Sequence, residues 1–182
     1  MTPTLETSRL LLRPLALEDA SQLQLVFPKW DIVRYLTTRV PWPYPPDGAL
    51  TFLRDLALPS VARGDSWRWS IRLKPDPDRI IGGIDLHKIE DDHRGFWLNP
   101  DFHRQGLMTE AADAVTGFWF DVLQFPVMRT SKAADNIASR RVSEKQGMRV
   151  VAVTERDYVS GRGPTEVWEI TAEEWRARKS SK

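Results

Sequence analysis

The residues with the most chemical promise lie in one stretch, Phe96 to Asp113, FWLNPDFHRQGLMTEAAD. Phe96, Trp97 and Leu98 are large and favour a strand, and Asn99-Pro100 is a turn signal that ends it. From Leu107 onward the apolar positions Met108, Ala111, Ala112, Val115, Phe118, Trp119 and Val122 follow helical spacing with a wide apolar face. Between strand and helix stand His103, Arg104, Gln105 and Gly106. Backbone N–H groups at a helix start have no internal partner and share the direction of the positive end of the helix dipole. They suit an anion, above all a phosphate or pyrophosphate. Gly106 lets the backbone approach such a group closely, and Arg104 adds a charge-assisted contact. On residue types alone, a plain strand-to-helix connection eased by Gly106 explains the stretch at least as well.

Other side chains could move protons. Asp85 and His87 alternate onto one face of a strand whose other face carries Ile84 and Leu86, and Glu90 follows them. The chain has no cysteine, which removes disulfides, thiolate metal sites and a cysteine nucleophile together. No metal site is expected. A formal charge of +1 gives no general pull toward nucleic acid or membrane. No apolar run approaches the roughly 20 residues that span a bilayer. Arg13-Pro14 interrupts the N-terminal apolar piece, so no signal peptide is expected. These features suit a reducing cytoplasm.

Three stretches carry a family pattern. WLNPDFHRQGLMTEAA resembles the acetyl-CoA-binding motif of the GNAT N-acetyltransferases, Q/R-x-x-G-x-G/A, most closely in the RimJ/RimL branch that acetylates ribosomal-protein N-termini. ETSRLLLRPLALEDA resembles that branch's first strand and first helix entry. DNIASRRVSEKQGM, residues 135 to 148, resembles its N-x-x-S-x-x-V-x-E-K-x-G-F motif. The three fall in the family's order and cover nearly the whole chain. His103 stands where Gln or Arg is usual, and Met108 where Gly or Ala is usual. The resemblance implies a GNAT-like α+β fold, a three-layer sandwich with a mixed, mostly antiparallel sheet flanked by helices. It implies acetyl-CoA as cosubstrate, bound by the backbone of Phe96, Trp97 and Leu98, by Arg104, Gln105, Gly106, Leu107, Met108 and Thr109, and by Asn136 and Ser139. Direct attack by a primary amine, a protein N-terminus or a small molecule, is implied as the reaction. A non-catalytic acyl-CoA-binding module is the alternative.

Acetyl transfer from a thioester needs a neutral amine, a stabilised carbonyl oxygen and a proton for the leaving thiolate. An α-amino group, pKa about 7.7–8.0, is roughly one-tenth to one-fifth neutral at pH 7, so it needs little help from a base. Asp85, His87 and Glu90 are the base candidates, each equally readable as a solvated polar residue. His87 titrates in the useful range. Many GNAT enzymes place a tyrosine near the thiolate, and the matching position here is Ser143, whose hydroxyl suits hydrogen bonding more than full proton donation. The resemblance puts the acceptor site among the first helices, the 40–46 loop and a late hairpin. Trp30, Trp42 and Tyr44 there could form an aromatic wall for a bulky or cationic amine. A homodimer is compatible with the eight tryptophans.

The elements that must position these residues follow from pattern. The 182 residues suit one domain, with its core at about 5–172. Arg9–Arg13 reads as a strand, and Leu17-Glu18-Asp19 opens a helix with Leu23, Val26 and Phe27 on its apolar side. Asp31–Leu36 is a short helical piece. Pro41, Pro43, Pro45 and Pro46 make 40–46 a stiff loop. Asp47 is expected to cap a helix with Leu50, Leu53, Leu56 and Ala57 as its buried face, kinked or ended at Pro59 and closed by Gly64. Trp67–Leu73 and Arg79–Ile89 form a hairpin around the 74–78 turn, with Trp67 and Trp69 in the core. After the long helix come a strand at 126–132 and a helix from Asn136 to Gln146 with Gly147 as its C-terminal cap. The last strands, 150–154 and 166–170, are joined by a loop at 161–164, and the basic tail 176–182 is expected to be loose. One long crossover, 96–98 through the helix to 127–132, implies a parallel pair with a right-handed connection, and the resemblance implies that this pair splays apart with the pantetheine arm in the gap.

Overall fold

The computed structural model describes residues 1–180. Leu5–Glu6 (β1) pairs with Leu10–Pro14 (β2), where Leu10 and Leu12 alternate inward. A single 3-10 turn, Leu17–Asp19, leads into Ala20–Val26 (α1). Asp19 does more there than favour a dipole. It is buried, accepts from the Ala16 N–H at 3.0 Å and ion-pairs with Arg72 at 2.6 Å. Trp30–Val33 (α2) is shorter than the helical piece expected at 31–36.

Gly48–Thr51 (α3), a π-helical segment Phe52–Ala57 and Leu58–Ala62 (α4) make one continuous helical run. The buried face is Ala49, Leu53 and Ala57, while Leu50 and Leu56 are exposed. The spacing of four keeps residues 49, 53 and 57 in line where the widened turn departs from 3.6 residues per turn. Pro59 neither ends the run nor stands alone: the Leu58 N–H reaches back five residues to Leu53 just before it. Asp47 occupies the cap position but makes no side-chain cap bond.

Ser66–Leu73 (β3) and Gly82–His87 (β4) form the expected hairpin, and Arg94–Leu98 (β5) completes a five-stranded antiparallel sheet in the order β1-β2-β3-β4-β5. Leu107–Gly117 (α5), extended by a π-helical turn at Phe118–Val122, crosses to Val127–Ala133 (β6). Ile137–Lys145 (α6) follows, then the hairpin Arg149–Tyr158 (β7) and Gly161–Thr171 (β8). A second, three-stranded antiparallel sheet has the order β6-β8-β7. Residues 161–164 lie inside β8, not in a loop, and the chain turns at Val159-Ser160. Ala172–Ser180 (α7) replaces most of the tail expected to be loose, because Trp175 is buried against Phe120 at 6.2 Å. Ser181 and Lys182 lie outside the described residues.

The two sheets have helices on both faces. Leu107, Ala111, Val115 and Trp119 of the α5 run share one core with Ile84 and Leu86 of β4 and Val142 of α6. Leu23, Ala49, Leu53 and Ala57 form a second core against the opposite face, with Trp97 beside it. Trp67 and Trp69 are core residues.

The parallel pair is splayed, as the resemblance implies, and forms no ladder. β5 and β6 belong to different sheets. They meet where the His93 N–H donates to the Arg129 carbonyl at 2.7 Å, and further on Lys132 of β6 lies over the Phe96 ring of β5. The same order on both strands means that they run side by side in one direction. The Arg129 N–H is taken by His93 Nδ1 at 2.9 Å and the Ser131 N–H by Asp92 Oδ1 at 3.2 Å. Side chains thus occupy edge donors that a ladder would use, and the strands stay apart beyond His93.

Candidate functional site

The edge of β5 that faces this gap can be worked out from its register. The His87 N–H donates to His93 O, and the Asn99 N–H donates to Ile81 O. Odd-numbered residues of β5 therefore bond β4, and the backbone groups of Arg94, Phe96 and Leu98 face away toward β6. The Leu98 carbonyl accepts a hydrogen bond from His103 Nε2 at 2.9 Å. The residue that stands where Gln or Arg is usual thus ties the loop back onto the strand. Trp97 points to the opposite face, and its indole lies so close over Gly83 that a Cβ there would sit 2.6 Å from Nε1.

The loop then enters α5. Arg104 and Gly106 have φ of 60° and 76°, and Gly106 has open space around it apart from Arg9 Nη2. The first intrahelical bond runs from the Glu110 N–H to the Gly106 carbonyl, 3.1 Å. The N–H groups of Leu107, Met108 and Thr109 precede it and have no partner within the helix. The side chains of Leu107 and Met108 are buried in the core, so only their N–H groups can serve an anion, and Met108 does not crowd the loop. Thr109 and Gly106 border a cleft of about 570 Å³. Gln105 is exposed, and its carbonyl is held by Arg9 Nη1 at 2.9 Å.

Glu110 clamps the N-terminal segment onto this helix start. It accepts from the Thr7 hydroxyl at 2.5 Å, the Arg9 N–H at 2.8 Å, Arg9 Nε at 2.7 Å and the Ser8 hydroxyl at 3.0 Å. Burial opposes ionisation of this carboxyl, but those four bonds win and pull it down to about 2.

On α6, Asn136 is a cap in fact: its Oδ1 accepts from the Ser139 N–H at 3.1 Å. Ser139, Val142, Ser143 and Gln146 form the inward stripe of this helix. Ser143 is 0% exposed, and its hydroxyl has no hydrogen-bond partner. An orphaned buried hydroxyl and unsatisfied N–H groups at α5 both fit a polar ligand laid along the gap.

Asp85 and His87 project from the Trp97 face. Asp85 is held in a very short ion pair by Arg68, whose guanidinium lies 5.5 Å from the Phe52 ring. His87 Nε2 is 3.9 Å from Asp85, and its Nδ1 is buried without a partner. Glu90 is exposed in the turn beyond β4. Trp30 and Trp42 are 45% and 43% exposed with ring centroids 5.8 Å apart. Tyr44 instead packs on Phe27 at 5.3 Å beside the second core, and burial raises its pKa.

Sequence reasoning missed several residues. Tyr35, Asp135, Tyr158 and Arg162 line a small cavity of about 160 Å³. It forms because the β7–β8 turn is tied to the segment after α2 by the Val159 N–H to Leu36 O at 2.9 Å and the Ser160 N–H to Arg34 O at 3.2 Å. Arg94 and Lys132 are also buried. The Lys132 signal was present: it continues the inward alternation of Met128 and Thr130.

Comparison with known proteins gives a consistent picture. Residues 9–149 match the family model described as acetyltransferase (GNAT) domain. The chain is 29% identical over 168 residues to YoaA, an uncharacterized N-acetyltransferase of Bacillus subtilis strain 168, covering 90% of this chain and 92% of that one. The fold is shared with the ribosomal-protein-S5-alanine acetyltransferase of Vibrio fischeri, at TM-score 0.80 and 15% identity over 95% and 98% of the two chains. It is also shared with RimL, a ribosomal L7/L12 alpha-N-protein acetyltransferase solved with coenzyme A, at TM-score 0.78 and 16% identity over 93% and 98%.

Proposed function

The chain belongs to the GNAT acetyltransferase family, and from its site we propose that it transfers an acetyl group from acetyl-CoA to a primary amine, with a protein N-terminus as the leading acceptor class. The observation that carries this reading is the parted β5 and β6 edges opening beside the unsatisfied N–H groups of α5. In it, Leu107, Met108 and Thr109 hold the pyrophosphate through their N–H groups, with Arg104 beside them. The backbone of Phe96 and Leu98 binds the amides of the pantetheine arm, and Asn136, Ser139 and Ser143 border it from α6. Acetyl-CoA supplies the activated thioester. The chain supplies position and a water-poor gap, which a partly neutral α-amine can attack directly. Trp30 and Trp42 offer the exposed ring pair for the acceptor's first side chains.

No helix among the described residues is long and apolar enough to cross a membrane, and a cysteine-free chain is at home in a reducing compartment. We place the reaction in the cytoplasm.

One observation favours a second reading, a binding module without turnover: Asp85, a base candidate, is occupied by Arg68. Thermal unfolding with and without acetyl-CoA tests the shared premise. Free ligand at a hundred times its dissociation constant adds about 2.7 kcal/mol. No stabilisation at saturation rejects both readings. Stabilisation followed by thiol release with N-terminal peptides, but not with their α-N-blocked forms, supports the enzyme. Stabilisation with no thiol release from any amine leaves the module.

A further inference from the structure

Two buried cations lie about the ring of Phe96, on the strand that borders the gap. Lys132 reaches from β6 toward β5 and places its ammonium 5.3 Å from the centre of the Phe96 ring, while the residue is only 6% exposed. Arg94, 2% exposed, puts its guanidinium 5.8 Å from the same ring. Arg94 bonds neutral groups, Thr116 at 2.6 Å and Gln146 at 2.8 Å. Among the described residues neither cation has a carboxylate within ion-pair distance. The carboxylates that act on Lys132 through space are Asp92, before β5, and Glu166, its cross-strand neighbour on β8. Each is already engaged, Asp92 by Arg156 and Glu166 by Arg140, both at 2.9 Å.

Asp113 likewise acts on Arg94 only through space, and two buried cations with no carboxylate in contact are costly. The arrangement becomes favourable when negative charge arrives between the strands. A donor anchored at the α5 start and lying along the β5 edge passes Leu98 and reaches Phe96, beyond which His93 and Arg129 close the gap. Its far end is therefore the end that meets Lys132. In acetyl transfer that end is the sulfur, where charge appears only as the thioester breaks.

We infer that Lys132 gives a proton to the departing sulfur of the acetyl donor. The inference rests on the acetyl-transfer reading above. The acceptor nitrogen forms its bond to the acetyl carbon, the C–S bond breaks with its electron pair on sulfur, and one proton moves from the Lys132 ammonium to give the free thiol. The attacking amine loses one proton, which restores the ammonium. Burial and the neighbouring Arg94 lower the Lys132 pKa to about 7. An amine in that range both donates and recovers a proton near neutral pH, which an ordinary lysine, at about 10.4, does poorly. The Ser143 hydroxyl, a far weaker acid, is left as a hydrogen-bond partner.

The test uses the full-length chain with coenzyme A as probe, following the thiolate's ultraviolet absorbance against pH. In the wild type the bound thiol should ionise at lower pH than the thiol of free coenzyme A titrated alongside it. Lys132→Met should bind coenzyme A and move that midpoint upward by about one unit or more, while Lys132→Arg, which keeps the charge, should hold it low. Turnover should fall roughly 100-fold or more in both, since neither donates a proton near pH 7. Equal midpoints in the wild type and Lys132→Met, or full turnover in Lys132→Arg, overturn the assignment and leave acetyl transfer standing. If Lys132→Met does not fold, an ordinary or raised midpoint in the wild type is enough to overturn it. Failure of the wild type to bind coenzyme A removes the acetyl-transfer reading itself.

Discussion

In the acetyl-transfer reading proposed above, the donor side and the acceptor side of the site are built by different means. The donor side is mostly backbone: the outward edge of β5, the turn at Gly106 and the first N–H groups of α5. Its side chains largely anchor it, with His103 on Leu98 and Glu110 on residues 7–9. The proposed acceptor side is mostly side chains from distant segments: the Trp30–Trp42 pair and the Arg68–Asp85 ion pair. Backbone recognition suits a ligand shared by a whole family, because many sequences fold to the same N–H groups. Side-chain recognition suits an acceptor that differs from one member to the next.

The largest break in this contrast should come from Gly106→Val. A β-branched residue at φ 76° is strained, and its bulk stands over the helix start. Acetyl-CoA affinity, read by calorimetry, should drop on the order of 100-fold, while far-ultraviolet circular dichroism stays native.

Asp85→Asn comes next and probes the other side. Loss of the carboxylate leaves Arg68 poorly paired in a largely buried place, costing about 1–3 kcal/mol by chemical denaturation. Because the carboxylate is committed to Arg68, turnover per folded molecule should change by less than about threefold. A loss near 100-fold would make Asp85 a true base.

Glu110→Gln tests the anchor of the donor side and has a definite pH signature. The folded carboxyl lies near 2 against an ordinary 4.5. Its stabilisation is complete above 4.5 and is lost as pH falls through about 2. The variant should therefore be about 1–3 kcal/mol less stable at neutral pH. That difference should shrink as both proteins are taken from pH 4.5 toward 2 in thermal melts.

The smallest stability effect is expected for Trp42→Ala. Removal of a half-exposed ring should shift stability by no more than about 0.5 kcal/mol. Steady-state kinetics should show KM for the acceptor rising about 3–10-fold with acetyl-CoA affinity unchanged, if the ring pair recognises the amine's neighbours. Equal loss for donor and acceptor would dissolve the two-sided picture.

Local patterns in the chain determined a good deal. Gly106 at a helix start, the Asn136 cap, Gly147 with φ 76° and the split of Ile84 and Leu86 from Asp85 and His87 each depend on a few neighbouring residues, and each is present in the fold. Patterns that depend on helix regularity carried less far. Leu56 points outward because a π-helical turn changed the angular step, and the tail became helix because Trp175 found Phe120. The parting of β5 from β6 was decided by tertiary structure alone. It depends on Asp92 and His93 reaching the donors of Ser131 and Arg129, residues close in space and far apart in the chain. The burial of Lys132 beside Arg94 has the same origin. Alternation could place that lysine on the inner face, but only the packed sheets and helices remove it from water and bring a second cation alongside.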